Sequence, residues 1–207
     1  MPQIAWDYDR GGPSLWWKLD ECQGLVANDS SETGSHDGVI TIGSGGDNAS
    51  EGSCESLQTD EAWYNGESGE INASLYFDGS DDFITLGTGP STYSMSLWVK
   101  PSSTTQSIVD LGGSHTLTVS AGAISAGGFS TPTIYVDGYQ TTTLPDTNWH
   151  QITVVTSTPF NTGTVTLGKI GGALYTGQID EFKLFSYPMT FIQVRDNFAR
   201  GAATLSH

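Results

Sequence analysis

The sequence predicts an all-β protein: a two-sheet antiparallel jelly-roll sandwich with one short C-terminal helix. Three observations lead there. Gly supplies 26 of the 207 residues and charged residues only 14%, the mix that many short strands and tight turns require. Aromatic residues make up 11%, with six Trp, which argues for a packed core against the disorder that Gly, Ser and Thr alone would allow. Short alternating segments then recur at regular spacing along the chain, and a single helical pattern follows them. The length fits one large domain and is too short for two generous ones.

The elements can be read in order. SLWWKL (14–19) is a strand, VANDSSETGSHDG (26–38) an oxygen-rich loop and VITI (39–42) a short strand. Residues 43–73 form a Gly-, Ser- and acid-rich insertion. SLYFDG and DFITL read as a hairpin closed through Gly79, Ser80 and Asp81. In SMSLWVK, Met95, Leu97 and Val99 share one face, Ser96 and Trp98 the other, and Pro101 ends the strand. SIVDL, HTLTVS, AIS, TIYVDG, NWHQITVVT, TVTLGKI and QIDEFKLF complete the set. Phe191, Val194, Arg195 and Phe198 fall at helical spacing, with Gly201 placed to cap.

Net charge is −16, from 23 acids against 7 bases. Nucleic acid and anionic membranes need a basic footprint and are excluded as expected partners. Excess carboxylate suits calcium, a cationic surface, or solubility outside a cell. No apolar run is long enough to span a membrane, and no signal-peptide pattern opens the chain. Cys22 and Cys54 both sit in polar, loop-like surroundings, which favours a disulfide and an oxidising compartment over two free thiols. Two cysteines lack the ligand count of a structural zinc site.

The two ends resemble each other. In QIAWDYDRG (3–11) and QVRDNFARG (193–201), Gln3 matches Gln193, Ile4 Val194, Tyr8 Phe198, Arg10 Arg200 and Gly11 Gly201. The expected organisation is a tandem array with a period of roughly 190 residues. Residues 1–11 are then the tail of a preceding repeat, 12–203 one complete unit, and 204–207 a terminal tail. The alternative is one helix pattern arising twice.

WWKLDECQGLVANDSSETGSHDGVI, SLYFDGSDDFITLG, SMSLWVKP, NWHQITVV and YTGQIDEFKLFSYPMT occur in this order from Trp16 to Phe198. Together they resemble the laminin-G-like domains of the concanavalin A-like lectin/glucanase superfamily, and more narrowly the tandem repeats of large surface proteins of uncultivated bacteria. The resemblance implies a jelly roll with a concave face. The loop from Asp29 departs from the usual Asp-Ser-Ser-Gly-Asn-Gly, with Glu32 and Thr33 at the fourth and fifth places, and the insertion holding Cys54 is longer than in many members.

Adjacent acids Asp180 and Glu181 interrupt the apolar strand QIDEFKLF. They allow three readings: catalysis, metal binding, or a polar strand end. Glucanases of this fold use a Glu-x-Asp-x-x-Glu strand, in which alternation aims the acids into a cleft. Here Gln178 and Lys183 occupy both Glu positions, and neither is a nucleophile or an acid. His36, His115, His150 and His207 are scattered, and no hydrolase or zinc-protease motif is present. A non-catalytic chain is expected.

Calcium takes six to eight hard oxygens, and the 26–38 loop is rich in them. The resemblance implies a calcium at the sandwich edge, with Asp29 and Asp180 as side-chain ligands and Ser31 and His36 contributing carbonyls. Strand alternation would then send Glu181 to the opposite face, toward solvent, Lys18 or Lys183. Asp20 and Glu21 could lend a further ligand or cap a turn. Trp16 and Trp17 must face opposite ways. Trp63 and Tyr64 in the insertion are the best candidates to stack on a sugar, followed by Tyr135, Tyr139 and Tyr175, although packing is the plainer role for each.

Two functions fit. One is a calcium-stabilised extracellular carbohydrate-binding or adhesion module, in which repetition raises a weak affinity for a glycan or cell-surface polysaccharide. The other is a ligand-free spacer repeat in a long extracellular stalk, touching only neighbouring repeats.

Overall fold

The computed structural model describes residues 11–202, so all but Gly11 of the expected 1–11 tail, and the whole 204–207 tail, lie outside the described residues. Two seven-stranded antiparallel sheets pack face to face. The first contains β1 (Leu15–Trp17), β4 (Leu75–Asp78), β6 (Ser91–Pro101), β10 (Thr133–Val136), β11 (Tyr139–Gln140), β12 (His150–Asn161) and β16 (Thr176–Phe185). The second contains β2 (Val26–Ala27), β3 (Gly38–Thr41), β5 (Phe83–Leu86), β7 (Gln106–Leu111), β8 (His115–Ser120), β9 (Ala123–Gly127) and β13 (Val165–Leu167). A short ribbon joins β14 (Lys169–Ile170) to β15 (Ala173–Leu174). Two helices, α1 (Ala62–Asn65) and α2 (Phe191–Ala202), complete the chain. The predicted sandwich with its terminal helix is the observed fold.

Alternation fixes the core. In β6, Met95, Leu97 and Val99 are fully buried and meet Val154, Ile152 and Ile179 across the sheet. Ile84, Val109, Leu111, Leu117 and Leu167 supply the facing layer. Each such side chain is worth about 1.5–3 kcal/mol in apolar surface removed from water. The two adjacent tryptophans separate as expected. Trp17 is in the core against Phe182, with ring centroids 5.4 Å apart, while Trp16 is half-buried on the outer face.

The strand order of the first sheet is β1-β16-β6-β12-β10-β11, with β4 also on β16. One edge of β16 is therefore shared. β4 pairs with residues 176–179 and β1 with residues 182–184. Asp180 and Glu181 fall in the gap between these partners. Along the other edge, Asp180 pairs with Trp98 and Lys183 with Ser96, so β16 carries one extra residue there. Glu181 takes up the bulge with φ 54°, a left-handed conformation uncommon for a residue with a side chain.

The insertion at 43–73 is folded, not loose. Its turn α1 buries Trp63 completely, and the indole N–H donates to the Gly24 carbonyl at 2.8 Å. Asn48 is fully buried and donates to Asp82 at 2.7 Å and to the Tyr76 carbonyl at 3.1 Å. The expected Cys22–Cys54 disulfide is formed, with Cα atoms 5.0 Å apart, and ties the insertion to the loop after β1. On the loop-entropy account such a bridge contributes about 3–4 kcal/mol.

At its start α2 has a reciprocal cap. The Thr190 hydroxyl accepts from Gln193 N–H at 3.3 Å, and the Gln193 side chain accepts from Thr190 N–H at 2.9 Å. The helix lies on the outer face of the first sheet, where Val194, Met189, Phe185 and Tyr135 form a second small apolar cluster. Gly201 does not cap the helix, because α2 runs on to Ala202. It is glycine because the helix rests on Trp98: a Cβ there would stand 2.7 Å from the indole ring.

Asp137 and Gly138 make the two-residue turn between β10 and β11, both with positive φ. His150 holds this turn. Its Nδ1 is 2.7 Å from Asp137 and its Nε2 3.0 Å from Asp146. Both ring nitrogens face carboxylates, which requires the imidazolium. Burial opposes that charge, but the two carboxylates outweigh it and raise the His150 pKa. Its stabilisation is therefore complete below the ordinary value of about 6.5 and is lost as pH rises through the raised value. Unfolding midpoints taken across this range should fall with rising pH, and His150→Gln should flatten that fall.

Candidate functional site

The bulge in β16 decides which side chains meet on the outer face. Ile179 and Phe182 both point into the core, so the two residues between them turn outward together. The acids do not divide between faces as simple alternation predicts. Glu181 accepts from Trp16 Nε1 at 2.9 Å and pairs with Lys183 at 2.5 Å, one of the two lysines expected for it. Lys183 and Lys18 lie over the Trp16 ring, 4.7 Å and 4.5 Å from its centroid.

Asp180 is fully buried. Its Oδ2 accepts from Ile71 N–H at 2.8 Å, and its Oδ1 has no partner. Burial pushes its pKa up to about 9, reinforced by the charges of Glu181 and Asp20 and opposed by the Ile71 N–H. The gap beside β16 is thus filled by the loop carrying Gly69 and Ile71.

These residues form one wall of a groove of about 790 Å3 between β1, the bulge and α2. Trp16, Phe185 and Tyr187 supply its aromatic surface. Lys18, Lys183 and Arg200 bring three of the chain's seven basic residues to it. Asp20, Glu32 and Asp196 add carboxylates, while Asn72, Gln193 and Asn197 add amides. The groove combines an indole with hydrogen-bonding groups of both signs, the composition of a site for a polar ligand with a flat apolar face.

Asp29, Ser31 and His36 are brought together, but around Asp29 itself. Its carboxylate accepts from Trp16 N–H, Ser31 N–H and Oγ, Ser35 N–H and His36 N–H. Those donors outweigh the penalty of burial and lower its pKa. The Ser31 carbonyl accepts from Gly34 N–H, and the His36 carbonyl from Trp17 Nε1. The oxygens read from the sequence as metal ligands each accept from the protein's own donors, and Asp180 has a separate set of partners.

A second acidic group lies elsewhere, and most of its oxygens likewise accept from the protein's own donors. Asp78, Asp81 and Asp82, in the hairpin between β4 and β5, bring ligand oxygens within 4.8 Å of one another. Asp82 is fully buried, and burial pushes its pKa up to about 6 against the donors Asn48 and Asp78 N–H. Asp81 Oδ1 is buried without a hydrogen bond. In the sequence, Gly79, Ser80 and Asp81 read only as a turn signal.

The aromatic candidates divide. Trp63 is buried, and so is Tyr175, whose hydroxyl donates to the Gln178 carbonyl at 3.1 Å. Neither ring can stack on a sugar, because the insertion and the core close over them. Tyr135 is 9% exposed, near Phe191 of α2. Tyr64 is half-buried beside Trp63, and Tyr139 is 65% exposed on the hairpin after β10. None of the five lines the groove. Trp16, which does, reads in the sequence only as one of an opposed pair. Gln178 donates to the Ser68 carbonyl and Ser74 Oγ, both at 3.1 Å, and so anchors the loop over the acid pair.

No protein-family model and no curated protein matches this chain. Among solved structures, domain 4 of AbnA, a GH43 extracellular arabinanase from Geobacillus stearothermophilus, determined with arabinotriose, is similar with a TM-score of 0.48 and 18% identity. That alignment covers 91% of this chain and 98% of the other. The HCR/D F1240A mutant is similar with a TM-score of 0.51 and 12% identity over 91% of this chain, which spans about half, 51%, of that one. At these identities the likeness shows the fold alone.

Because Asp29 organises its loop by itself, Asp29→Ala should cost about 2–4 kcal/mol in calcium and in chelator alike, measured by urea denaturation. A loss confined to calcium-containing buffer would return Asp29 to a metal site.

Proposed function

We propose that this chain is a non-catalytic extracellular carbohydrate-binding or adhesion module, a laminin-G-like repeat whose glycan site is the groove around Trp16. The observation that carries the reading is that groove: a half-buried indole on an outer sheet face, ringed by amides, carboxylates and ammonium groups. Pyranose and furanose rings present both an apolar face and a rim of hydroxyls, and this lining complements both. The disulfide and the acidic composition support a location outside the cell. Among the described residues no helix is long and apolar enough to cross a membrane. Gln178 and Lys183, at the positions where a glucanase carries Glu, support the absence of catalysis. In this reading calcium is a stabilising ion, for which the Asp78, Asp81 and Asp82 group offers hard oxygens.

The spacer reading keeps one specific observation in its favour. Helix α2 covers the middle of the outer face, packing Phe198 on Trp98 with centroids 5.5 Å apart and Asn197 on Ser96 at 2.8 Å. The groove is what the helix leaves open.

A glycan array run in millimolar calcium and again in chelator tests both readings. Binding of a defined sugar by the wild type, reduced at least tenfold by Trp16→Ala, is the expected result. Silence in both conditions from folded protein would move the chain to the spacer class. In thermal melts calcium is expected to raise Tm, and Asp81→Asn to remove the rise. A rise lost in Asp180→Asn instead would place the ion where the family resemblance puts it.

A further inference from the structure

Two ammonium groups crowd one indole in the groove, and only one of them has a counter-ion. Trp16 of β1 stands opposite Lys183 of β16, so their side chains share the outer face. Lys18, two residues on from Trp16, follows it to that face. The ammonium groups of Lys183 and Lys18 lie 4.7 Å and 4.5 Å from the Trp16 ring centroid. They are therefore closer to each other than the screening length of about 10 Å at moderate salt, and they repel. Lys183 is answered by Glu181, and those two side chains are 12% and 4% exposed. Lys18 has no carboxylate partner among the described residues.

This local excess of positive charge stands in a chain of net charge −16. Acids are close at hand, yet none neutralises Lys18. Of the groove's other acids, Asp20 accepts from Ala73 N–H and from the Asn72 amide, both at 3.2 Å. Glu32 and Asp196 are exposed on its lining.

We propose that Lys18 and Lys183 form a carboxylate subsite of the groove, which takes the C6 carboxylate of a uronic acid residue in an acidic polysaccharide. The proposal rests on the carbohydrate reading and deepens it by naming the class of sugar. The incoming carboxylate supplies the counter-ion that Lys18 lacks and relieves its repulsion with Lys183. Bonds from ammonium to carboxylate are charge-assisted and about twice as strong as neutral ones. The Lys18 stem stays on the indole while its ammonium turns to the ligand. Glu32 and Asp196 accept from sugar hydroxyls and repel a ligand with several charges on each sugar. The lining thus selects a carboxylate set among hydroxyls over a densely sulfated chain or an acidic peptide.

The test compares trigalacturonate, trimannuronate and a glucuronate-containing hyaluronan tetrasaccharide with their methyl esters, by calorimetric titration. The wild type is expected to bind at least one acid, at least tenfold more tightly than its ester. Lys18→Met keeps the stem on Trp16 and removes the charge. It should weaken binding of that acid at least tenfold with Tm unchanged, while Lys18→Arg retains the binding. Lys100→Met, at an exposed lysine of β6 outside the groove, should bind as the wild type does. Equal affinity of the wild type for acid and ester overturns the subsite. So does wild-type affinity in Lys18→Met. If Lys18→Met loses stability, the contrast between acid and ester in the wild type still decides. Tighter binding of a heparin tetrasaccharide or a triglutamate peptide overturns the assignment to a uronate. Binding of arabinotriose or cellotetraose alone overturns the subsite and leaves the carbohydrate reading standing. Failure of every sugar to bind overturns both.

Discussion

The bulge at Asp180–Glu181 is the constraint on which the outer face depends. β16 runs between β6 and a divided edge, where β4 ends and β1 begins. An unbroken strand would alternate through this gap and send one acid into the core. The extra residue, held at positive φ in Glu181, keeps Ile179 and Phe182 inside and turns both acids outward. Bulges re-aim side chains in this way. One of these acids then orders Trp16 and Lys183, and the other receives the loop that fills the gap.

Charge is managed locally although the chain is strongly acidic. Asp29 is surrounded by donors from its own loop, so its negative charge organises residues 29–36. Asp180 is buried, with burial outweighing its backbone donors, and takes the opposite direction of shift. His150 joins two carboxylates and fixes the hairpin after β10. The same residue type thus acts as anchor, as buried acid with a raised pKa and as ion-pair partner. The number and kind of nearby donors set the role, and position in the sequence motif does not.

Helix α2 shapes the site as much as the sheet does. Its apolar side buries Val194 against Phe185 and Tyr135, and Gly201 lets its last turn settle on Trp98. The groove exists because the helix covers only part of the face. Binding and spacing therefore draw on one architecture, and the groove is what favours binding.

The sequence by itself determined the sandwich, the core face of each long strand, the terminal helix, the disulfide and the opposed tryptophans. These follow from local periodicity, turn residues and composition, which act over a few residues at a time. Alternation placed Met95, Leu97 and Val99 together with no knowledge of their partners. The tertiary structure alone decided the site. Trp63 and Tyr175 look available in sequence, yet the insertion and the core close over them. Trp16 becomes one of the groove's aromatics because β1 lies beside the bulge. Asp29 and Asp180, joined in expectation, take their hydrogen bonds from different donors. Asp78, Asp81 and Asp82 converge because a hairpin folds them onto one point. Such outcomes turn on contacts between residues far apart in the chain, and on a one-residue register shift that no period of two can reveal.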